Sequence, residues 1–374
     1  MTVIKLYSVR FLAIGLFIGL IVVWVASNPA SGNSSVPVEE DKGQLSTREI
    51  HYELNLKDPV QPETPSQAYS IQLSLDDQGF PQEYRLFLQT HVCLDRVCKR
   101  LEVILFWDAL GRYSHLEHPE KIPLTKSSHE EFEPKDYDQL NAILKNKKSI
   151  LGTHPLSFFV IQPKANAEEI DAMTSATPQA VQDAVVPSAA YTSWVLWHWV
   201  NGEIVDQLRA LTLSHCDSEY LVYCLQLEDP QFIEFALKQI LEGNAFDSKI
   251  QEACFQTLET SDRANSQLAL QIVTTKSSNK DELNRRLIKL IGTQRGSSEL
   301  ILNYFKNLSE APPTLWDQMA DQLHQISAYQ DVNAVLNLLE SRNGNSESIR
   351  VAVASLLDRK NRFIVRRVQE FLEN

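Results

Sequence analysis

From Asp217 to the end, the chain is a succession of amphipathic segments of about ten to fifteen residues with short polar connections between them. Apolar side chains recur at helical spacing, as in Ile233, Ala236, Leu237, Ile240 and Leu241, and again in Ile349, Val353, Leu356 and Leu357. Helix pairs start near Asp217, Asp247, Lys280, Pro312 and Glu347, a period of roughly 30 to 35 residues. A two-helix unit of that length cannot bury its apolar stripe alone and must stack on its neighbours. Residues 214–374 are therefore expected to form an all-α solenoid of helical hairpins. In length and texture the segment resembles HEAT-type repeats, with no consensus residue strict enough to select one repeat family.

The other end of the chain sets the compartment. Lys5 and Arg10 precede an apolar run from Phe11 to Ala26, the charge-then-apolar pattern of an export signal. Residues 1–28 are expected to be a cleaved signal peptide or a retained N-terminal membrane anchor. Either way the remainder lies outside the cytoplasm, in the periplasm or cell envelope. Residues 29–47, rich in Ser, Asn, Gly, Pro and Glu, form a flexible linker. The net charge of −13 excludes nucleic acid and an anionic lipid surface as partners, leaving the N-terminal segment as the route to a membrane.

Between these parts, residues 48–213 mix strand and helix signals. Ile50–Leu54 and Tyr69–Leu75 alternate apolar and polar residues like half-buried strands, joined by a Pro-rich loop over Asp58–Ser66. Gln82–Val92 and Lys99–Trp107 are expected to form a hairpin, Asp136–Leu144 a helix with Pro134 in its first turn, and Ser157–Ile161 a short strand. Pro178 to about Val200 is predicted helical with a break at Pro187. Strands followed by helices imply an α+β domain built on an antiparallel sheet.

One short stretch in this domain carries a chemistry: Asp171-Ala172-Met173-Thr174-Ser175-Ala176-Thr177-Pro178. Thr before Pro suits a helix N-cap with Pro at the first helical position, and a helix N-terminus suits a phosphate. Capping alone would also account for this pair. Asp171, Thr174, Ala176 and Thr177 resemble the flavin-attachment motif of the covalent-FMN-binding domain family, with Ser175 where that family has Gly. The resemblance implies FMN held as a phosphoester on Thr177, with Asp171, Thr174, Ser175 and Ala176 around it. It also implies a separate magnesium-dependent flavin transferase as partner, because a threonine hydroxyl is a poor nucleophile unaided. The pairing of such a domain with helical repeats is similar to combinations found in bacterial envelopes.

Other groups are expected to be structural. Cys93 and Cys98 flank a hairpin tip where Cα atoms across the ladder are about 5.5 Å apart, suited to a disulfide. Cys216, Cys224 and Cys254 fall on or beside helices as small buried residues. Tyr113–Glu133 is read as a loop dense in polar groups; its His115, His118 and His129, with Glu117, Glu130 and Glu131, lack the rigid spacing of a zinc motif, and no metal site is expected. Trp194, Trp197 and His198 share one helix face, either as a wall for an isoalloxazine ring or as packing on the sheet. No set of catalytic residues is recognisable. Two functions follow: an extracytoplasmic electron carrier with FMN on Thr177 and a repeat region for docking a protein partner, or a non-catalytic envelope scaffold whose FMN-type domain holds no flavin.

Overall fold

The computed structural model describes residues 48–91, 100–127, 129–159, 179–293, 295–342, 344 and 346–373. The export segment, the linker, Cys93, Cys98 and the Asp171–Pro178 stretch lie outside the described residues. Contacts divide the chain into two compact units, Met1–His215 and Cys216–Asn374. The first is an antiparallel sheet with helices, and the second is helical.

In the first unit, strands β1 (Arg48–Leu56), β2 (Gln67–Leu75), β3 (Pro81–Thr90), β4 (Leu101–Asp108) and β5 (Tyr113–Glu117) pair in chain order, every pair antiparallel. The period-2 pattern sends one set of side chains to the core. The register aligns Tyr52, Ile71, Leu86, Leu105 and Leu116 in one row across all five strands, and all are buried. Ile50, Leu73, Tyr84, Trp107 and Tyr113 form the next row. On the opposite face Glu49, His51, Glu53, Arg85 and Phe87 are exposed, while Gln72 and Phe106 are buried.

Helices α1 (Pro134–Lys145), α4 (Ala190–Asn201) and α5 (Ile204–Ser214) contribute their apolar stripes to the same core, with α2 (Leu156–Phe159) and α3 (Gln179–Gln182) as single turns between α1 and α4. Hydrogen bonds fix them to the sheet. Trp107 Nε1 donates to Val200 O at 2.9 Å. Tyr84 OH lies 2.8 Å from Thr212 Oγ1, which donates to Ala109 O. Tyr52 OH meets His215 Nε2 at 2.6 Å.

Pro134 occupies the first turn of α1, as its fixed φ favours, and Pro187 falls in the break between α3 and α4. Two readings of this region are corrected. Ser157–Ile161 is not a strand where described: Leu156–Phe159 is one helical turn that buries Leu156 and Phe159 at i, i+3 and leaves Phe158 half exposed. So short an apolar run has no periodicity that separates strand from helix. Tyr113–Glu117, placed in a loop by its polar composition, is the edge strand β5, reached through a tight turn at Gly111 with φ +66°.

The second unit holds ten helices among the described residues: α6 (Ser218–Gln226), α7 (Pro230–Glu242), α8 (Ser248–Thr260), α9 (Arg263–Lys276), α10 (Lys280–Leu290), α11 (Arg295–Lys306), α12 (Pro313–Gln322), α13 (Tyr329–Ser341), α14 (Glu347–Ala354) and α15 (Arg362–Glu373). Side chains of Asp217, Asp229, Asp247, Asp262, Asn279 and Ser346 cap six N-termini by accepting from free backbone N–H groups. Helices α7, α9, α11, α13 and α15 pack in succession as one row, and each also packs on the helix before it.

Several side-chain hydrogen bonds between neighbouring pairs fall at sequence separations of 33 to 36, as in Lys276 to Gly243 O, Arg286 to Glu252, Arg367 to Asn333 and Arg263 to Glu299. Arg342 donates to the carbonyls of Phe305, Lys306 and Leu308, satisfying the open end of α11. Among the described residues no helix is long and apolar enough to cross a membrane.

Two substitutions test this arrangement. Trp107→Ala removes a fully buried indole and its bond to Val200, and should cost about 3–5 kcal/mol in urea unfolding followed by circular dichroism. Arg342→Met keeps the aliphatic stem but strands three carbonyls, and should cost about 1.5–3 kcal/mol by the same measurement.

Candidate functional site

The Asp171–Thr177 residues are flanked in the first unit by described structure on both sides. The chain leaves at Phe159, at the end of α2, and returns at Gln179, the start of α3. Both flanks are held. Gln139 Nε2 donates to Val185 O at 3.2 Å and Ser127 N to Ser188 O at 2.7 Å, fixing the return against α1 and the loop before it.

On the departing side, α4 is the anchor. Trp194 Nε1 donates to His154 O, Trp197 Nε1 to Asn146 O, and Asn201 Nδ2 to Leu144 O, each at 3.0 Å. One face of α4 thus supplies the donors that the last turn of α1 and the segment after it lack. Trp197 approaches so closely that a Cβ on Gly152 would lie 2.6 Å from its ring, so position 152 admits no side chain without displacing α4.

This corrects the expected packing of that face. Trp194 and Trp197 direct their N–H groups at the Leu144–His154 backbone, whereas Trp199 turns to the sheet, edge-on to Tyr69 at 5.1 Å. All three indoles are buried. Trp194 also links a set of smaller rings. His198 stacks on Trp194 with centroids 3.8 Å apart, and His154 lies 4.4 Å from Phe158, whose ring is half exposed.

His198 Nδ1 donates to Trp194 O at 2.9 Å and His154 Nδ1 lies 3.2 Å from Ile150 O. Donation from Nδ1–H to Trp194 O fixes the His198 tautomer and leaves its Nε2 as an acceptor, whereas His154 Nδ1 also lies 3.0 Å from Thr153 Oγ1. Burial lowers the His198 pKa below its ordinary 6.5, so at neutral pH this imidazole is uncharged. The cluster offers aromatic surface and a neutral acceptor on His198, a chemistry suited to a planar, polar-edged ring.

The remaining sequence candidates resolve into structural roles. His115 stacks on Phe106 at 4.2 Å and His118 on Tyr137 at 4.6 Å. Among the described residues no three metal-type side chains come together. Cys224 and Cys254 are buried and Cys216 is half-buried, all as free thiols. Burial pushes the Cys216 thiol up to about 11 and the other two to about 12, so none is a nucleophile at neutral pH.

No protein-family model, curated protein or solved structure matches this chain. His154 and Phe158 were not singled out in the sequence because nothing in their spacing marks them. Only the fold links them to His198, through Trp194, which donates to His154 O and stacks on His198.

Burial also lowers the pKa of His215. For both histidines the unfolded chain binds the proton more readily than the folded one. Their contribution to stability is therefore complete above about pH 6.5 and is lost as pH falls from there through the lower folded values. The melting temperature should drop less between pH 7.5 and 5.5 in the double variant His198→Gln, His215→Asn than in the parent chain. Equal drops would show that neither histidine is responsible.

Proposed function

We propose that this protein is an extracytoplasmic electron carrier with FMN esterified to Thr177, and that its helical unit docks a protein partner. The observation that carries the reading is the Asp171–Pro178 stretch, whose Asp171, Thr174, Ala176 and Thr177 resemble a flavin-attachment motif. A helical turn begins at Gln179, directly after it, as expected for a phosphate-bearing residue at a helix entry. The rings of Phe158, His154 and His198 near the departing chain fit a flavin chemically, with an exposed ring for stacking and the neutral His198 imidazole for a polar edge.

Bound FMN would supply one- and two-electron transfer. Thr177 would tether it, and the small Ser175 and Ala176 would let the phosphate approach the backbone. Neutral His198 would offer a hydrogen-bond acceptor without adding charge. For the helical unit, side-chain contacts one repeat apart support a HEAT-like solenoid, an architecture that presents extended surfaces to partners.

The second reading, an envelope scaffold of FMN-type fold without flavin, is favoured by one residue. Ser175 places a side chain where the resembling family has Gly. One experiment separates the two. The chain is co-expressed with an exported flavin transferase, run on a denaturing gel and viewed under ultraviolet light. A fluorescent band that goes dark in Thr177→Val supports covalent FMN. A dark parent band in the presence of an active transferase overturns it.

A further inference from the structure

We propose that the solvent-facing side of the first unit's sheet docks a cationic segment of a partner protein, one in which apolar side chains alternate with lysine or arginine. The segment would seat on Phe87 and Ile104 and be held by the carboxylates around them. This surface depends neither on the flavin nor on the docking role of the helical unit.

An antiparallel sheet commonly leaves one face to water, and such a face is normally polar throughout. This one has an apolar middle. The register sets Phe87 opposite Ile104 and Arg85 opposite Phe106. Phe87 is 52% exposed and Ile104 is half-buried, while Phe106 is covered by the His115 ring stacked on it at 4.2 Å.

Carboxylates without cations surround that middle. Glu49, Glu53 and Glu83 form no ion pair among the described residues. Glu102 accepts from the neutral Gln89 amide at 3.0 Å, and Glu117 meets only the His115 ring, at 3.9 Å. Among the described strand residues on this face, Arg85 carries the one guanidinium, and its Nε already donates to Gln72 Oε1. Two copies packed face to face would set carboxylate against carboxylate, and an anionic surface would be repelled. Complementarity leaves a cationic occupant.

Gln72 marks the same face independently. It lies between His51 and Arg85 in the register and is 6% exposed. Its Nε2 is buried with no acceptor, and an unpaired buried donor is destabilising. Arg85 is exposed and free to swing aside, after which a carbonyl of the occupant reaches Nε2. Cations, apolar groups and a carbonyl acceptor together describe a polypeptide, whereas a simple polyamine offers only the first.

The test is fluorescence anisotropy on the full chain with short labelled peptides of alternating Lys-Leu, Lys-Ser and Glu-Leu. The expected result is saturable binding of Lys-Leu, at least about tenfold weaker in Phe87→Ser and in Glu53→Lys/Glu117→Lys. Glu242→Lys/Glu310→Lys, an equal charge change at exposed positions of the second unit, should leave that binding unchanged. Gln72→Leu should weaken it about three- to tenfold while raising the urea midpoint, because the unpaired donor is gone. A merely structural glutamine would not give that opposite pair of effects. No binding, or equal weakening by the two charge-reversed pairs, overturns the site. Equal binding of Lys-Ser overturns the apolar seat, and binding of Glu-Leu overturns the charge assignment. Self-association of the parent chain that Phe87→Ser abolishes assigns the face to a second copy and overturns the cationic occupant.

Discussion

Trp107 sets the geometry of the first unit. Its indole is fully buried in the middle of the sheet, and a buried N–H must find an acceptor. It takes Val200 O, near the end of α4. That bond fixes how α4 lies on the strands and therefore which of its faces is left for other partners. The face carrying Trp194, Trp197 and Asn201 then meets the exposed carbonyls after α1, and Gly152 is bare because Trp197 arrives there. The ring cluster at His154, Phe158 and His198 is a consequence of this chain of constraints, although no member of it touches Trp107.

The sheet was readable from sequence where a single rule applied. Strands β1 to β4 alternate apolar and polar residues because one face is buried and the other is open, and period two is visible in such segments. Strand β5 lacked the signal: an edge strand of five residues with Ser114, His115 and Glu117 shows little alternation. Helix α2 failed for a related reason, since a single turn spans too few residues to reveal a period. In both places tertiary contacts decided the backbone, through pairing with β4 for one and burial of Leu156 and Phe159 for the other.

The helical unit was legible in its helix starts because capping is local chemistry. Helices begin at Ser218, Ser248, Lys280, Pro313 and Glu347, each within a residue or so of the expected starts. What the sequence did not display was the polar layer between repeats. Arg367, Asn333 and Glu299 occupy equivalent positions in successive repeats, but they differ in residue type. A search for repeated letters passes over them. Their relations are complementary, with Arg367 donating to Asn333 and Arg263 donating to Glu299, and they emerge only when the helices are side by side.

That layer also limits how such a chain can change length. Arg342 reaches the carbonyls at the end of α11 because the turn after α13 lies one repeat further along, and Arg359 makes the same reach to Leu323 O and His324 O. Losing or gaining a whole helix pair would bring another basic side chain to an equivalent carbonyl terminus, as Lys276 at the end of α9 already reaches Gly243 O at the end of α7, and preserve the junction. A change by any other length would point the guanidinium at the side of a helix, where no carbonyl is free. Growth and shrinkage of the helical unit over evolutionary time are thus quantised by its hydrogen bonding as well as by its apolar packing.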